Sequence, residues 1–322
     1  MRQFNNFKNY MRNLTVSPSP HIKSPLSARK IMYLVILALL PAGAAGIYIF
    51  GLCSLKVMLI SIISCVISEV IFLKLRNRDP KTILDGSAIL TGLLLAYSMP
   101  PELPFWIPIV GGVVSIVLGK QIFGGLGHNI FNPALVGRTF LQISWPVYMT
   151  TWKNPKWAVD AISSATPLAK EGARSFSYLD LFLGNHGGCI GEVCILALVI
   201  GALFLIFTKI ISLHIPASFI GTVMVLAWIF GGEGSFNGDF IFHLLAGGLV
   251  LGAFFMATDY VTCPLTRKGK IIFGIGCGVL TVLIRLRGSY PEGVSYAILF
   301  MNAVVPLIDR YTKTRVYGIS KK

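Results

Sequence analysis

The stretch "IMYLVILALLPAGAAGIYIF", residues 31–50, decides the fold, because it runs for the length of a membrane helix without a charged residue. A bilayer core about 30 Å thick requires about 20 apolar residues in a helix. In the whole chain of 322 residues, 54% are hydrophobic and only 13% are charged, more apolar than a water-soluble domain needs. The sequence therefore predicts an all-α polytopic membrane protein.

Further apolar stretches follow the first and predict further transmembrane helices. They lie at 54–73, 84–99, 105–119, 192–208, 215–231, 241–257, 271–286 and 294–308. A tenth segment, 130–148, is less regular, because Asn132, Pro133 and Arg138 interrupt its apolar run. The number of spans is therefore nine or ten, depending on this segment.

The positions of the basic residues decide between these numbers. Lys and Arg cluster in the N-terminal tail, at 74–81, at 267–270 and in the C-terminal tail, and the positive-inside rule places such clusters in the cytoplasm. Ten helices with both termini inside satisfy all four clusters, whereas nine do not. Arg285 and Arg287, at an outer end, are exceptions. The net charge of +15 is thus explained by topology rather than by a nucleic-acid partner.

The chain divides into two halves that resemble each other. In order, we expect a cytoplasmic tail at 1–30, a first transmembrane repeat at 31–148, an outer loop at 149–191, a second repeat at 192–308 and a cytoplasmic tail at 309–322. "ILTGLLLAYSMPPELP" (89–104) is echoed by 244–265, and 130–138 is echoed by 299–310, where Asn302 matches Asn132. The paired helices run in opposite directions, which predicts two inverted five-helix repeats. Such folds place broken helices and binding sites near the bilayer midplane.

A glycine-rich stretch, "KQIFGGLGHNIFNPALVGR" (120–138), contains candidate site residues His128, Asn132 and Arg138. Glycines permit close approach of the backbone to a ligand or to another helix. A charge at membrane depth is costly, so Arg138 indicates either a functional role or a buried pair with a carboxylate. Both alternatives stay open at this point. No catalytic residue and no metal site is predicted from the sequence.

Three acidic residues lie near the ends of predicted helices, and each has two interpretations. Glu69, Asp85 and Asp259 could line an ion pathway or could cap helices. A cap is the simpler interpretation for each.

Among the six cysteines, Cys189 and Cys194 lie near the outer end of a predicted helix. A disulfide between them is one alternative in an oxidising compartment. Burial as small packing residues is the other, and it is the more common state of free cysteines in apolar helices.

The outer loop contains "DAISSATPLAK", residues 160–170, a hydroxyl-rich run in an apolar chain. Taken locally, Thr166 followed by Pro167 is a good N-cap and first-turn pair for a helix. The same run resembles the Asp-x-x-Ser-x-Ala-Thr motif, at which FMN is attached through its phosphate to a threonine. Many such motifs have Gly at the position of Ser164. The matching residues are Asp160, Ser163, Ser164, Ala165 and Thr166, followed by Pro167 and Leu168.

Together with "GGLGHNIFNPALVGRTFLQISWP" and "MATDYVTCPLT", this motif makes nearly the whole chain similar to the RnfD/NqrB family. The resemblance is to the RnfD subunit of the Rnf ion-translocating electron-transport complex and, more distantly, to the NqrB subunit of the sodium-pumping NADH:quinone oxidoreductase. It implies a bacterial inner-membrane protein with FMN on Thr166 and a non-covalent riboflavin. It also implies a flavin transferase and other complex subunits, one of them carrying a second flavin, as partners. The function implied is electron relay between reduced ferredoxin and NAD, coupled to Na⁺ or H⁺ movement.

The ferredoxin and NAD sites are expected on other subunits, because the chain has no CxxC-type cluster motif and no GxGxxG turn after a strand. Two alternatives to an Rnf subunit remain. One is the quinone-reducing relative, which differs mainly in its partners. The other is a flavin-free channel or transporter for a small solute, which inverted repeats alone would support equally well.

Overall fold

The computed structural model of the chain describes residues 26–78, 80–152, 155–156, 177–232, 236–288 and 292–313. Every regular element in these ranges is a helix. This confirms the all-α class. The helices are α1 (Ala28–Phe50), α2 (Leu52–Leu75), α3 (Ser87–Tyr97), α4 (Trp106–Ile116), α5 (Pro133–Ser144), α6 (Pro146–Thr150), α7 (Tyr178–Leu183), α8 (Ile195–Phe207), α9 (His214–Phe230), α10 (Phe240–Leu245), α11 (Leu249–Leu251), α12 (Arg267–Arg287) and α13 (Val294–Tyr311).

Two helices continue into a wider π turn. Val117–Gln121 extends α4, and Gly252–Met256 extends α11. Single π turns inside α-helices often occur at functional sites. Both of these turns lie beside the buried polar groups described below.

Helix length separates the predicted spans into two classes. By length and composition, α1, α2 and α12 are able to cross a membrane. The apolar helices α3, α8 and α9 and the stretch Trp106–Gln121 are shorter. With a rise of about 1.5 Å per residue, the 11 residues of α3 cover about half of a 30 Å core. Every apolar stretch predicted from the sequence contains a helix, but the predicted span 241–257 is broken into α10 and α11.

The helices pack in two groups, α1–α5 and α8–α13. In the first group α2 packs on α3 and α4, and α4 packs on α5; in the second, α9 packs on α10 and α12, and α12 packs on α13. Glycines allow close helix contacts in both groups: a Cβ on Gly112 would lie 2.6 Å from Ser64 Oγ, and one on Gly278 would lie 2.6 Å from Thr222 Cβ. Small residues allow such close packing in membranes. The groups meet through α1 with α8 and α5 with α13.

The outer surface of the bundle is apolar. Many large hydrophobic side chains are exposed, among them Tyr48, Leu52, Leu75, Phe207, Phe230 and Phe300. Contiguous exposed apolar surface of this kind is rare on soluble monomers and indicates contact with lipid or with other membrane proteins. The chain is therefore a membrane protein by structure as well as by sequence.

Candidate functional site

A break between α10 and α11 is the starting point of the candidate site. Gly247 and Gly248 adopt positive φ angles of 62° and 54°, which ends one helix and starts the next. The partly buried guanidinium of Arg285 donates to the carbonyls of His243 (2.6 Å), Ala246 (2.9 Å) and Gly247 (2.7 Å). These are acceptors that the broken helix leaves without partners. This bonding explains why Arg285, an exception to the positive-inside pattern, is tolerated.

The other side of the break faces a carboxylate. Glu192 packs directly on Gly248, because a Cβ there would lie 2.5 Å from Glu192 Oε1. Gly248 is the N-cap residue of α11, so the carboxylate lies at the positive end of a half-helix. The two half-helix ends thus face side chains of opposite charge, Arg285 at the carbonyls and Glu192 at the amides.

Arg138 connects this break to the rest of the bundle. It lies inside α5, is only 4% exposed, and donates to Glu192 Oε1 at 3.2 Å and to Ser295 Oγ at 2.7 Å. It also pairs with Glu292, just before α13. Of the two alternatives for Arg138, the buried pair with a carboxylate is present in the structure. A contact between Arg138 and a flavin stays a prediction.

The charges of this cluster balance. Its two carboxylates, Glu192 and Glu292, both pair with Arg138, and the second guanidinium, Arg285, lies near enough to interact with them electrostatically. Ligand atoms of Cys189, Glu192 and Glu292 lie within 4.8 Å of one another, close enough to hold a metal ion. A cation placed there would compete with Arg138 for both carboxylates, so the donor set favours an internal ion-pair cluster.

The thiols of Cys189 and Cys194 are both free in the structure. Cys189 is buried, and its sulfur lies 3.9 Å from Arg138 Nη2. Of the two alternatives for these cysteines, the structure therefore has the packing residue and not the disulfide.

A second buried polar cluster lies at the end of α4. Lys120, 1% exposed, donates to Glu69 Oε1 and to Ser87 Oγ, both at 2.6 Å. Gln121 donates to the same Glu69 oxygen at 2.9 Å. The π turn therefore directs two consecutive residues towards one carboxylate. Glu69 lies inside α2 and binds an ammonium, so its interpretation as a helix cap is wrong.

The other two acidic residues do satisfy local backbone and side-chain donors. Asp85 accepts from the backbone N–H of Ser87 at 2.8 Å, at the start of α3. Asp259 accepts from Thr262 Oγ1 at 3.2 Å in the turn that follows the π helix. The cap interpretation holds for Asp85, and Asp259 closes a turn in a similar way.

A small cavity lies between the two helix groups beside this second cluster. Its volume is about 40 Å³, and its polar lining residues are Ser87, Thr91, Lys120, Asn129, Asn132 and Asp259. That is room for a few waters, whereas ligand pockets usually measure about 300–1,000 Å³. An adjacent cavity of about 50 Å³ shares the Asp259 wall. Both cavities are therefore too small to hold a riboflavin.

The three residues predicted as possible flavin contacts do not form one site in the structure. Asn132 caps α5 by accepting from the N–H of Ala134 (3.1 Å) and donates to the carbonyl of Met256 (3.2 Å). His128 lies exposed in the loop after α4. Arg138 is buried in the ion-pair cluster. Asn132 instead links the two helix groups, and its backbone N–H donates to the side-chain amide oxygen of Asn302 at 3.2 Å.

The proposed flavin attachment motif, Asp160 to Leu168 with Thr166, lies outside the described residues. The residues on either side of it are anchored to the helix bundle. The backbone N–H of Lys156 donates to Ile49 O near the end of α1 (3.1 Å). Tyr178 Oη donates to Asp239 Oδ2 at the start of α10 (2.7 Å). That hydrogen bond and the charge of the carboxylate raise the pKa of Tyr178.

Comparison with known proteins identifies the family. Residues 15–318 match the model of the NQR2, RnfD, RnfE family. The chain belongs to this family. The NQR2, RnfD, RnfE match covers both helix groups, both buried clusters and the loop with Thr166.

Individual relatives of the NQR2, RnfD, RnfE family agree with this assignment. The chain is 50% identical to the D subunit of the proton-translocating ferredoxin:NAD(+) oxidoreductase complex of Clostridium ljungdahlii, over 94% of this chain and 96% of the relative. It is also 50% identical to the D subunit of the Na(+)-translocating ferredoxin:NAD(+) oxidoreductase complex of Acetobacterium woodii, over 96% of each. The D subunit of the ion-translocating oxidoreductase complex of Stutzerimonas stutzeri is 40% identical, over 91% of this chain and 92% of the relative.

Sequence reasoning missed Glu192, Glu292 and Lys120. Glu292 stands two residues before α13, and Glu192 stands three residues before α8, at the first position of the predicted transmembrane stretch 192–208. A usable signal was present, because the chain has only 13 acidic residues and a buried Arg138 requires one of them as a partner.

Proposed function

We propose that this chain is the membrane-embedded D subunit of an ion-translocating ferredoxin:NAD oxidoreductase complex. The main support is the nearly full-length match, at 50% identity, to the D subunits of two ferredoxin:NAD(+) oxidoreductase complexes. The chain acts as one part of the enzyme and is not catalytic alone. Its partners are the other subunits of the complex and the bacterial inner membrane.

The coupling ion is Na⁺ or H⁺. The relatives from Clostridium ljungdahlii and Acetobacterium woodii are equally similar to this chain, yet one is described as translocating protons and the other Na⁺. Overall similarity therefore favours neither ion.

We further propose a topology of ten spans in two inverted repeats, 31–148 and 192–308, with both termini in the cytoplasm and 149–191 outside. The similar packing in the two helix groups supports this topology, because α2 contacts α3 and α4 in the first group and α9 contacts α10 and α12 in the second. So does the meeting of Asn132 with Asn302, which occupy matched positions in the two halves. Short helices such as α3 contribute part of a span, as broken helices do in inverted-repeat transporters.

The redox role rests on flavin. We propose that Thr166 carries FMN as a phosphoester and that a second, non-covalent riboflavin is bound by the membrane part. In forming the ester, Thr166 Oγ1 loses its proton and bonds to the flavin-side phosphorus of a flavin dinucleotide, while the pyrophosphate P–O bond breaks and a nucleoside monophosphate leaves. A flavin transferase performs this step. Bound flavin supplies the electron relay, and the protein holds it in place.

The intact mass of the purified chain tests the FMN assignment. Wild type is expected to carry the added FMN mass, which Thr166→Ala loses and the matched controls Ser163→Ala and Ser164→Ala keep. Loss of an N-cap costs only about 1 kcal/mol, so Thr166→Ala protein should still insert and assemble. If wild type has its unmodified mass in a strain with an active flavin transferase, the FMN assignment fails. Absence of flavin fluorescence from the denatured wild-type chain would instead favour the flavin-free transporter.

A further inference from the structure

We propose that a groove at the start of α1 binds an anionic phospholipid. The groove is shallow and open to the surface of the bundle, and all its described lining residues belong to α1 and its N-cap residue. Its lining combines two cations, a phenol ring and an aliphatic floor. These residues are Ser27, Arg29, Lys30, Tyr33, Leu34 and Leu37. The inference does not depend on the proposed electron transfer, since it requires only that α1 spans the membrane.

The upper part of the groove is positively charged, and among the described residues no carboxylate lines it. Arg29 and Lys30 are exposed, and neither belongs to any of the ion pairs found in the described part of the chain. No acidic residue stands in the first turn of α1, where the helix end is itself positive. Two exposed cations beside a positive helix end provide a complement for a phosphodiester anion.

Tyr33 holds the charged part of the groove in place. The guanidinium of Arg29 lies over its ring, 5.8 Å from the centroid, within range of a cation–π interaction. The ring itself packs near Gly86, since a Cβ on that glycine would lie 3.5 Å from ring carbons. A tyrosine in this position is typical of the headgroup level of a membrane.

The lower part of the groove is apolar and continues into the depth of the membrane. Leu34 and Leu37 lie one and two turns further along α1, and Leu37 is 51% exposed. Leu37 lies eight positions after Arg29 in the helix, a rise of about 12 Å. This separation suits a lipid whose phosphate contacts Arg29 and Lys30 while an acyl chain covers the leucines.

This layout favours a lipid over free phosphate or a soluble anion, because a soluble anion would use the cations and leave the leucines in contact with solvent. It also places the cations at the cytoplasmic end of α1 in the predicted topology. Basic pockets at that level of membrane proteins bind anionic headgroups.

Native mass spectrometry of the full-length, detergent-solubilised chain tests the proposal. Phosphatidylglycerol is the probe, and phosphatidylcholine is the zwitterionic comparison. A basic residue near an anionic membrane surface contributes about 1 kcal/mol, or about fivefold in affinity. Arg29→Gln/Lys30→Gln should therefore bind phosphatidylglycerol about 25-fold more weakly, while its unfolding temperature stays that of wild type. The matched control is Lys268→Gln/Lys270→Gln, which removes the same charge from the start of α12.

Three results would overturn the lipid site. The first is an equal loss of affinity in the α12 control, which would mean that only the overall surface charge matters. The second is equal binding of phosphatidylglycerol and phosphatidylcholine. The third is full competition by glycerophosphoglycerol, which lacks acyl chains and would indicate a free-anion site. In support, Leu37→Ala should weaken phosphatidylglycerol binding without changing the affinity for glycerophosphoglycerol.

Discussion

Arg138 and Glu292 form a buried ion pair although they lie 154 positions apart in the chain. The pair joins α5 of the first helix group to the start of α13 in the second. Glu192, from the segment that connects the two groups, binds the same guanidinium. Because a buried charge requires a partner, this arrangement fixes the groups relative to each other as well as neutralising Arg138.

Charge balance in the cluster gives the first prediction. Arg138→Leu leaves two carboxylates against Arg285 alone, and removing one partner of a buried pair costs about 3–5 kcal/mol. The variant should unfold at a clearly lower temperature in detergent. Arg138→Leu/Glu292→Gln restores equal numbers of charges and should recover most of the loss. A double variant as unstable as the single one would show that packing, rather than charge, causes the effect.

The helix break gives the second prediction. Gly248→Ala places a methyl group 2.5 Å from the Glu192 carboxylate, at a backbone φ of 54° that alanine rarely adopts. We expect a loss of about 1–3 kcal/mol in thermal or denaturant unfolding. Gly221→Ala in α9 is the matched control, because no atom lies within 4 Å of its added Cβ. That control should be neutral or slightly stabilising, and equal losses in both variants would contradict a strained break.

The Lys120 cluster gives the third prediction. Lys120→Met leaves the Glu69 carboxylate with Gln121 as its donor, so the amount of folded chain should fall sharply. Lys120→Met/Glu69→Gln removes both charges and should fold nearly as well as wild type. Electron transfer in the assembled complex then separates two roles for the pair. Wild-type turnover in the double variant indicates a purely structural pair, whereas lost turnover in folded protein indicates that the charges serve the reaction.

The sequence predicted the helices far better than it predicted the polar contacts. An apolar run in the sequence by itself indicates a helix in contact with lipid or with a protein core. The helices α1 and α2 could therefore be predicted, and so could the less regular segment that contains α5. The partners of Arg138 depend instead on how two distant halves dock, which no local pattern encodes. The burial of Lys120 could not be predicted for a different reason. It depends on the π turn at Val117–Gln121, which has no sequence pattern comparable to the two glycines of the Gly247–Gly248 break.

Membrane sidedness gives the last prediction, and it bears on where the proposed flavin lies. In the ten-span topology, residue 163 faces outward and residue 268 faces the cytoplasm, because basic clusters are retained inside. Ser163→Cys and Lys268→Cys are compared with an impermeant thiol reagent, in a background where the partly exposed Cys53, Cys194 and Cys263 are replaced by serine. The reagent should label position 163 in right-side-out vesicles and position 268 only in inverted or permeabilised ones, with the unsubstituted background as control. The reverse pattern would invert the topology and move Thr166, with any FMN it carries, to the cytoplasmic face.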